Sequence, residues 1–211
     1  MMRSVSAAPL IEVTVPAPVH SVWAHLREPA LVRRWFGWEY PGLEREIDVI
    51  FAEEAVADEA ARTVAWDHGP QHGDRFELEP AGDGTLLRLH RQVPDELAGA
   101  YDDIAEGWIT FVQQLRFALA RHPGEERRTH YLSADAGLPV TQALEATGGE
   151  VWFRSPHQLG VVAEELGDGL VVGVEKPGAA AFLTLTAYGD GAAGLGAAVA
   201  RWDAWFMERV G

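Results

Sequence analysis

Residues 10–15, LIEVTV, alternate: Ile11, Val13 and Val15 share one face, Glu12 and Thr14 the other. Period two with one polar face predicts a half-buried strand. PAP breaks it, and Pro18 suits the first turn of a helix in which Val19, Val22, Trp23 and Leu26 recur at helical spacing. Pro29 opens a second short helix, PALVRRWF, which Gly37 closes. Strand patterns follow. EIDVIF puts Ile47, Val49 and Phe51 on one face, RTVAW (62–66) is a second, and DRFELE sets Phe76 with Leu78. AGDG (81–84) has hairpin-turn composition, and TLLRLHRQV returns from it as a strand.

Residues 100–121 carry the strongest helical pattern. Tyr101, Ile104, Trp108, Phe111, Leu115 and Ala118 recur at three and four. Acids lie early and Arg116, Arg121 and His122 lie late, which complements the helix dipole. GEERR (124–128) is the natural boundary after it. Beyond lie strand-like RTHYLS, a short helix in LPVTQALEA, four strand-like stretches (EVWF, LGVVAEEL, LVVGVEK, AAFLTLTAY), and a last helix with Leu195, Val199, Trp202, Phe206 and Val210 on one face. GDGAAGLG (189–196) reads as a flexible turn before it. Both halves therefore read strand, helix, strands, long helix: a repeat of architecture with little repeat of residues.

Several motifs in their order carry a resemblance: IEVTVPAPVHSVWAHL, LVRRWFG, RTVAWD, FELEPAGDGTLLRLHRQ, and EGW early in the long helix. Over about residues 8–122 the chain resembles the SRPBCC superfamily. Within it, the chain looks most like the domain family named after the activator of the heat-shock-protein-90 ATPase. The resemblance implies an α+β helix-grip fold, with a curved antiparallel sheet wrapped on a long C-terminal helix and often a ligand cavity between them. The expected organisation is a helix-grip domain at 8–123 and a smaller α+β domain, a degenerate repeat, at 128–211. EYPGLER (39–45) is shorter than the family's usual extra strand or hairpin here.

Composition narrows the function. At 211 residues, 47% hydrophobic and 23% charged, the chain is globular in type and long enough for a large core. Its formal net charge of −15 repels phosphate backbones and anionic membranes, so neither is an expected partner. With no cysteine there is no disulfide, thiolate metal site or cysteine nucleophile. No apolar run reaches membrane-spanning length, and no signal peptide is evident, so a cytoplasmic location is expected.

Trp35, Phe36 and Trp38 crowd around Gly37, and the resemblance puts them near a cavity entrance. Trp66, Phe76, Trp108 and Phe111 are set to face the same space. Core packing is the bland alternative for all seven. His68 and His72 are metal candidates by type, but Gly69, Pro70 and Gly73 favour a solvated turn. Arg88 and His90 alternate with Leu87 and Leu89. Hydrophobicity turns the leucines inward, and a one-residue register change would turn the polar pair in as acid–base candidates. Glu106 is a further candidate base, or simply a charge favourable to a helix N-terminus.

No nucleophile elbow, phosphate loop or dinucleotide fingerprint is present, and no cofactor is expected. The leading expectation is a protein that binds a small, mostly hydrophobic molecule in the N-terminal cavity, as a monomer or homodimer. The alternative is an enzyme of cyclase or dehydratase type using His90, Arg88 or Glu106. A co-chaperone-like interaction protein ranks third.

Overall fold

The structure, a computed structural model, describes residues 8–93, 100–135 and 139–210. By contacts the chain divides into two units. Described residues through Val32 join Glu44–Ile109; Arg33–Leu43 join Thr110 and the described residues after it.

The first unit holds β1 (Ile11–Val15), α1 (Val19–Arg27), α2 (Pro29–Val32), most of α3 (Leu43–Ile47), a π-helical segment (Asp48–Glu54), β2 (Ala55–Asp58), β3 (Thr63–Trp66), β4 (Arg75–Ala81) and β5 (Gly84–His90). It also holds the start of α4 (Asp103–Arg121). The strands form one antiparallel sheet in the order β1-β5-β4-β3-β2. Its register sets Ile11 against Leu89, Leu78 against Leu87, and Val64 against Phe76, so one face is apolar and buried. The other face carries Glu12, Glu77, Glu79 and Arg88, as period two requires.

The second unit holds β6 (Arg127–Ala134), α5 (Val140–Glu145), β7 (Val151–Arg154), β8 (Gln158–Ala163), a short 3-10 turn (Glu164–Leu166), β9 (Gly169–Lys176), β10 (Ala180–Tyr188) and α6 (Gly189–Val210). Its sheet order is β6-β10-β9-β8-β7. That is the first sheet's order again: the opening strand pairs with the last, and the rest form a meander. Val140 and Leu144 of α5, Leu183 and Leu185 of β10, and Trp202 and Phe206 of α6 form one buried cluster, so both helices cover the same face. The α+β class is present, as two antiparallel five-stranded sheets of the same strand order.

Three local expectations fail, the first being the second short helix, read over PALVRRWF, which ends at Val32. Residues 46–51 are not a strand: α3 and the π-helical segment run through them. The buried side chains are Leu43, Ile47, Ile50 and Phe51, a helical spacing; Val49, needed for the strand reading, is only half-buried. The glycine-rich 189–196 is not a loop but the opening turns of α6. A Cβ on Gly191 would come within 3.1 Å of the Gly167 Cα, so glycine lets α6 start hard against the turn after β8.

Candidate functional site

In the first unit, Trp66, Phe76 and Trp108 are buried and pack ring on ring, with centroids 5.8 Å apart for Trp66–Phe76, 5.5 Å for Trp66–Trp108 and 5.3 Å for Phe76–Trp108. Phe51 from the π-helical segment joins them edge-on to Trp66 at 5.9 Å. Both indole N–H groups are satisfied: Trp66 donates to the Ile50 carbonyl at 2.7 Å and Trp108 to Asp74 Oδ2 at 2.8 Å. Asp74, fully buried, also takes Arg91 Nη1, and Arg91 Nε donates to Asp102 at 2.7 Å. Asp102 in turn caps α4 by accepting from the backbone N–H groups of Ile104 and Ala105.

The two carboxylates sharing Arg91 are shifted in opposite directions. Burial pushes the Asp74 carboxyl above the ordinary aspartate value, and Trp108 and Arg91 only partly offset it. For Asp102 burial is outweighed by hydrogen bonds from Arg91 and from the Ala105 and Ile104 amides, so its value is lowered.

The polar candidates lie elsewhere. Leu87 and Leu89 point inward and are fully buried. Arg88 lies on the opposite face, paired with Glu12 at 2.5 Å and Glu79 at 2.8 Å; His90 lies 3.2 Å from Glu77. Glu106 is half-buried in the first turns of α4. His68 and His72 are exposed in a turn, where the His72 ring lies 2.7 Å from the Asp67 carbonyl. Among the described residues no three His, Asp or Glu side chains are placed to share a metal ion.

The remaining four aromatic candidates belong to the second unit. Phe36 packs on Phe111 at 4.8 Å and edge-on to Trp35 at 5.9 Å. Trp38 lies 6.3 Å from Phe111 and stacks on Tyr131 of β6, 4.2 Å away and 11° from parallel.

The second unit also holds an open cleft of about 580 Å³ that sequence reasoning missed. Its walls come from the end of α4 (Arg121), the α5–β7 loop (Thr147–Glu150), the end of β8 with the turn after it (Val161–Glu165, Asp168), and α6 (Arg201, Trp202, Trp205). Half-buried Trp205 supplies an indole surface to it, backed by the nearly buried Trp202, the two rings 5.2 Å apart at 64°. Arg209 lies over the Trp205 ring at 4.4 Å. Arg121 and Glu150 pair across 2.6 Å on the rim. The volume lies within the usual range for small-molecule sites, and the lining combines flat apolar surface with charge of both signs. The sequence signals are the Trp202–Trp205 pair and the distant Gly148–Gly149 break; the other walls are scattered along some 80 residues.

No family model matches the chain, and no curated protein matches it. Two solved structures are similar. One is DynU16, from the dynemicin biosynthetic locus, with a TM-score of 0.35 at 14% identity over 83% of this chain and 84% of that one. The other is the di-domain ARO/CYC BexL from the BE-7585A biosynthetic pathway, with a TM-score of 0.38 at 14% identity over 85% and 84%. Among the described residues no helix is long and apolar enough to cross a membrane.

Proposed function

We propose that this protein binds a small, flat, largely apolar molecule in the cleft of its second unit. The observation that carries the reading is that cleft: about 580 Å³, open, and walled by Trp205 with Trp202 behind it. Indole faces favour a planar ring system. Arg121 and Arg201 are placed to meet oxygen atoms on its edge. The net charge of −15, with Glu150, Glu164, Glu165 and Asp168 on the rim, favours a neutral ligand over an anionic one. Trp66, Phe76 and Trp108 act in this reading as core that holds the first sheet and α4 together.

The motif resemblance supports placing residues 8–123 with the SRPBCC superfamily, nearest the heat-shock-protein-90 ATPase activator domains. Residues 128–211 are read as its degenerate repeat, and the location as cytoplasmic.

Nile red, neutral and planar, tests the binding reading. Saturable, blue-shifted fluorescence is expected, weakened at least about fivefold by Trp205→Ala, which removes an aromatic contact worth roughly 1 kcal/mol or more. Trp108→Phe is expected to leave the titration unchanged. Absence of saturable binding, or equal binding by the Trp205→Ala variant, would count against the cleft. Native mass spectrometry of the purified protein adds whether a ligand is carried already.

A further inference from the structure

The second sheet has a second face, opposite Leu183 and Leu185, and it is polar where burial would favour apolar residues. Tyr188 of β10 is the cross-strand partner of Arg127 of β6, and Thr186 is the partner of Thr129. Period two puts all four on one face. Arg127, Thr186 and Tyr188 are buried, at 3%, 0% and 1% exposure, and so is Gln114 from α4.

The Arg127 guanidinium is held without a carboxylate. Nη1 donates to Gln114 Oε1 at 2.7 Å; Nη2 donates to the Phe36 and Gly37 carbonyls at 2.5 and 3.0 Å. The carboxylate whose charge reaches it is Glu39, and that group is already engaged by Arg33 and Arg128, each at 3.0 Å, and by Thr129. Arg33, Arg127 and Arg128 all lie around this one carboxylate. His122, paired with Glu125, stacks on the Tyr188 ring at 4.6 Å.

Four buried atoms here have no hydrogen-bond partner: Arg127 Nε, Gln114 Nε2, Thr186 Oγ1 and Tyr188 Oη. Every one can donate a proton to a hydrogen bond. Unpaired buried donors are costly, and donors gathered beside a buried cation suit an anion better than a cation or an apolar group. We propose that Arg127, Gln114, Thr186 and Tyr188 form a buried receptor for a small monovalent anion of chloride size. The four atoms are closed to solvent, which excludes the carboxylate of a bulky organic ligand. Burial lowers the Arg127 guanidinium to about 10, and an anion beside it opposes that shift.

The test compares thermal unfolding in sodium chloride and in sodium gluconate at equal ionic strength. Chloride is expected to raise the midpoint along a saturable curve while gluconate, too large to enter, does not. Thr186→Val and Tyr188→Phe each remove one donor at nearly constant shape. Each is expected to keep the wild-type circular dichroism and to move the chloride dependence to about tenfold higher concentration. Crystals grown with bromide should show an anomalous peak within hydrogen-bonding distance of Arg127 Nε. Coincident curves in the two salts, or a site holding only water, would overturn the proposal.

Discussion

Trp108 and Asp74 meet in the interior of the first unit, where the indole N–H donates to Asp74 Oδ2 over 2.8 Å. The tryptophan thus has two duties: its rings pack on Trp66 and Phe76, and its N–H helps hold a buried carboxylate. These separate by substitution. Trp108→Phe keeps an aromatic ring but leaves Asp74 one donor short, an expected loss of about 1 to 3 kcal/mol. Trp108→Ala also opens a large hole in the aromatic cluster, at about 3 to 5 kcal/mol. Urea unfolding measures both. Equal losses for the two variants would mean that packing contributes little.

Asp74 and Asp102 share Arg91 yet should respond to pH in opposite senses. A carboxyl raised by folding, as Asp74 is, stabilises below its unfolded value, near 4, and loses that contribution as pH rises through its folded value. A lowered carboxyl, as Asp102 is, stabilises above its unfolded value and loses the contribution as pH falls through its folded value. The stability difference between wild type and Asp74→Asn should therefore shrink as pH rises from about 3 to 7, while that for Asp102→Asn should grow. Denaturant midpoints across that window decide it; two slopes of the same sign would refute the assignment.

The first sheet was legible because one of its faces is wet. Leu87 and Leu89 alternate with Arg88 and His90, a contrast that favours the leucines inward, as the structure has them, over the opposite register. The second sheet is buried on both faces over β8, β9 and β10, so LGVVA and LVVGV read as continuous apolar runs that give length but no facing. At 43–54 two periods fit the same residues, and the helical one prevailed because it also buries Leu43 and Ile50. β2 escaped notice as an exposed edge strand with no apolar stripe. The cleft was illegible for a different reason. No motif links Arg121, Glu150, Asp168 and Trp205; only the fold brings them together.

Gly173 lies in β9 under α5, where a Cβ would come within 2.6 Å of Leu144 Cδ1 and 3.3 Å of Val140 Cγ1. The missing side chain lets the helix sit close to the sheet. Gly173→Val forces α5 outward, at an expected cost of about 1 to 3 kcal/mol from overpacking. Pairing it with Leu144→Ala should recover part of that loss, because the two changes share one space. A double-mutant cycle in urea measures the coupling, and strict additivity of the two losses would argue against the contact.

Arg88 and Arg91 are three residues apart, and each touches two carboxylates, so by partner count they look equivalent. Their surroundings differ. Arg88 bridges Glu12 and Glu79 on the solvent face of the sheet, where water and salt screen the pairs and ordering long side chains offsets the gain. Arg91 is nearly enclosed, between the buried Asp74 and the cap residue Asp102. Removing it strands a carboxylate without its counter-charge and loosens the start of α4. Arg88→Ala is therefore expected to leave the urea midpoint near the wild-type value. Arg91→Ala should lose about 3 to 5 kcal/mol. Raising the salt from low to molar concentration should erase any residual Arg88 effect and leave most of the Arg91 effect in place. If both variants lose stability alike and both losses vanish in salt, Arg91 is a surface pair and the buried network does not anchor the helix.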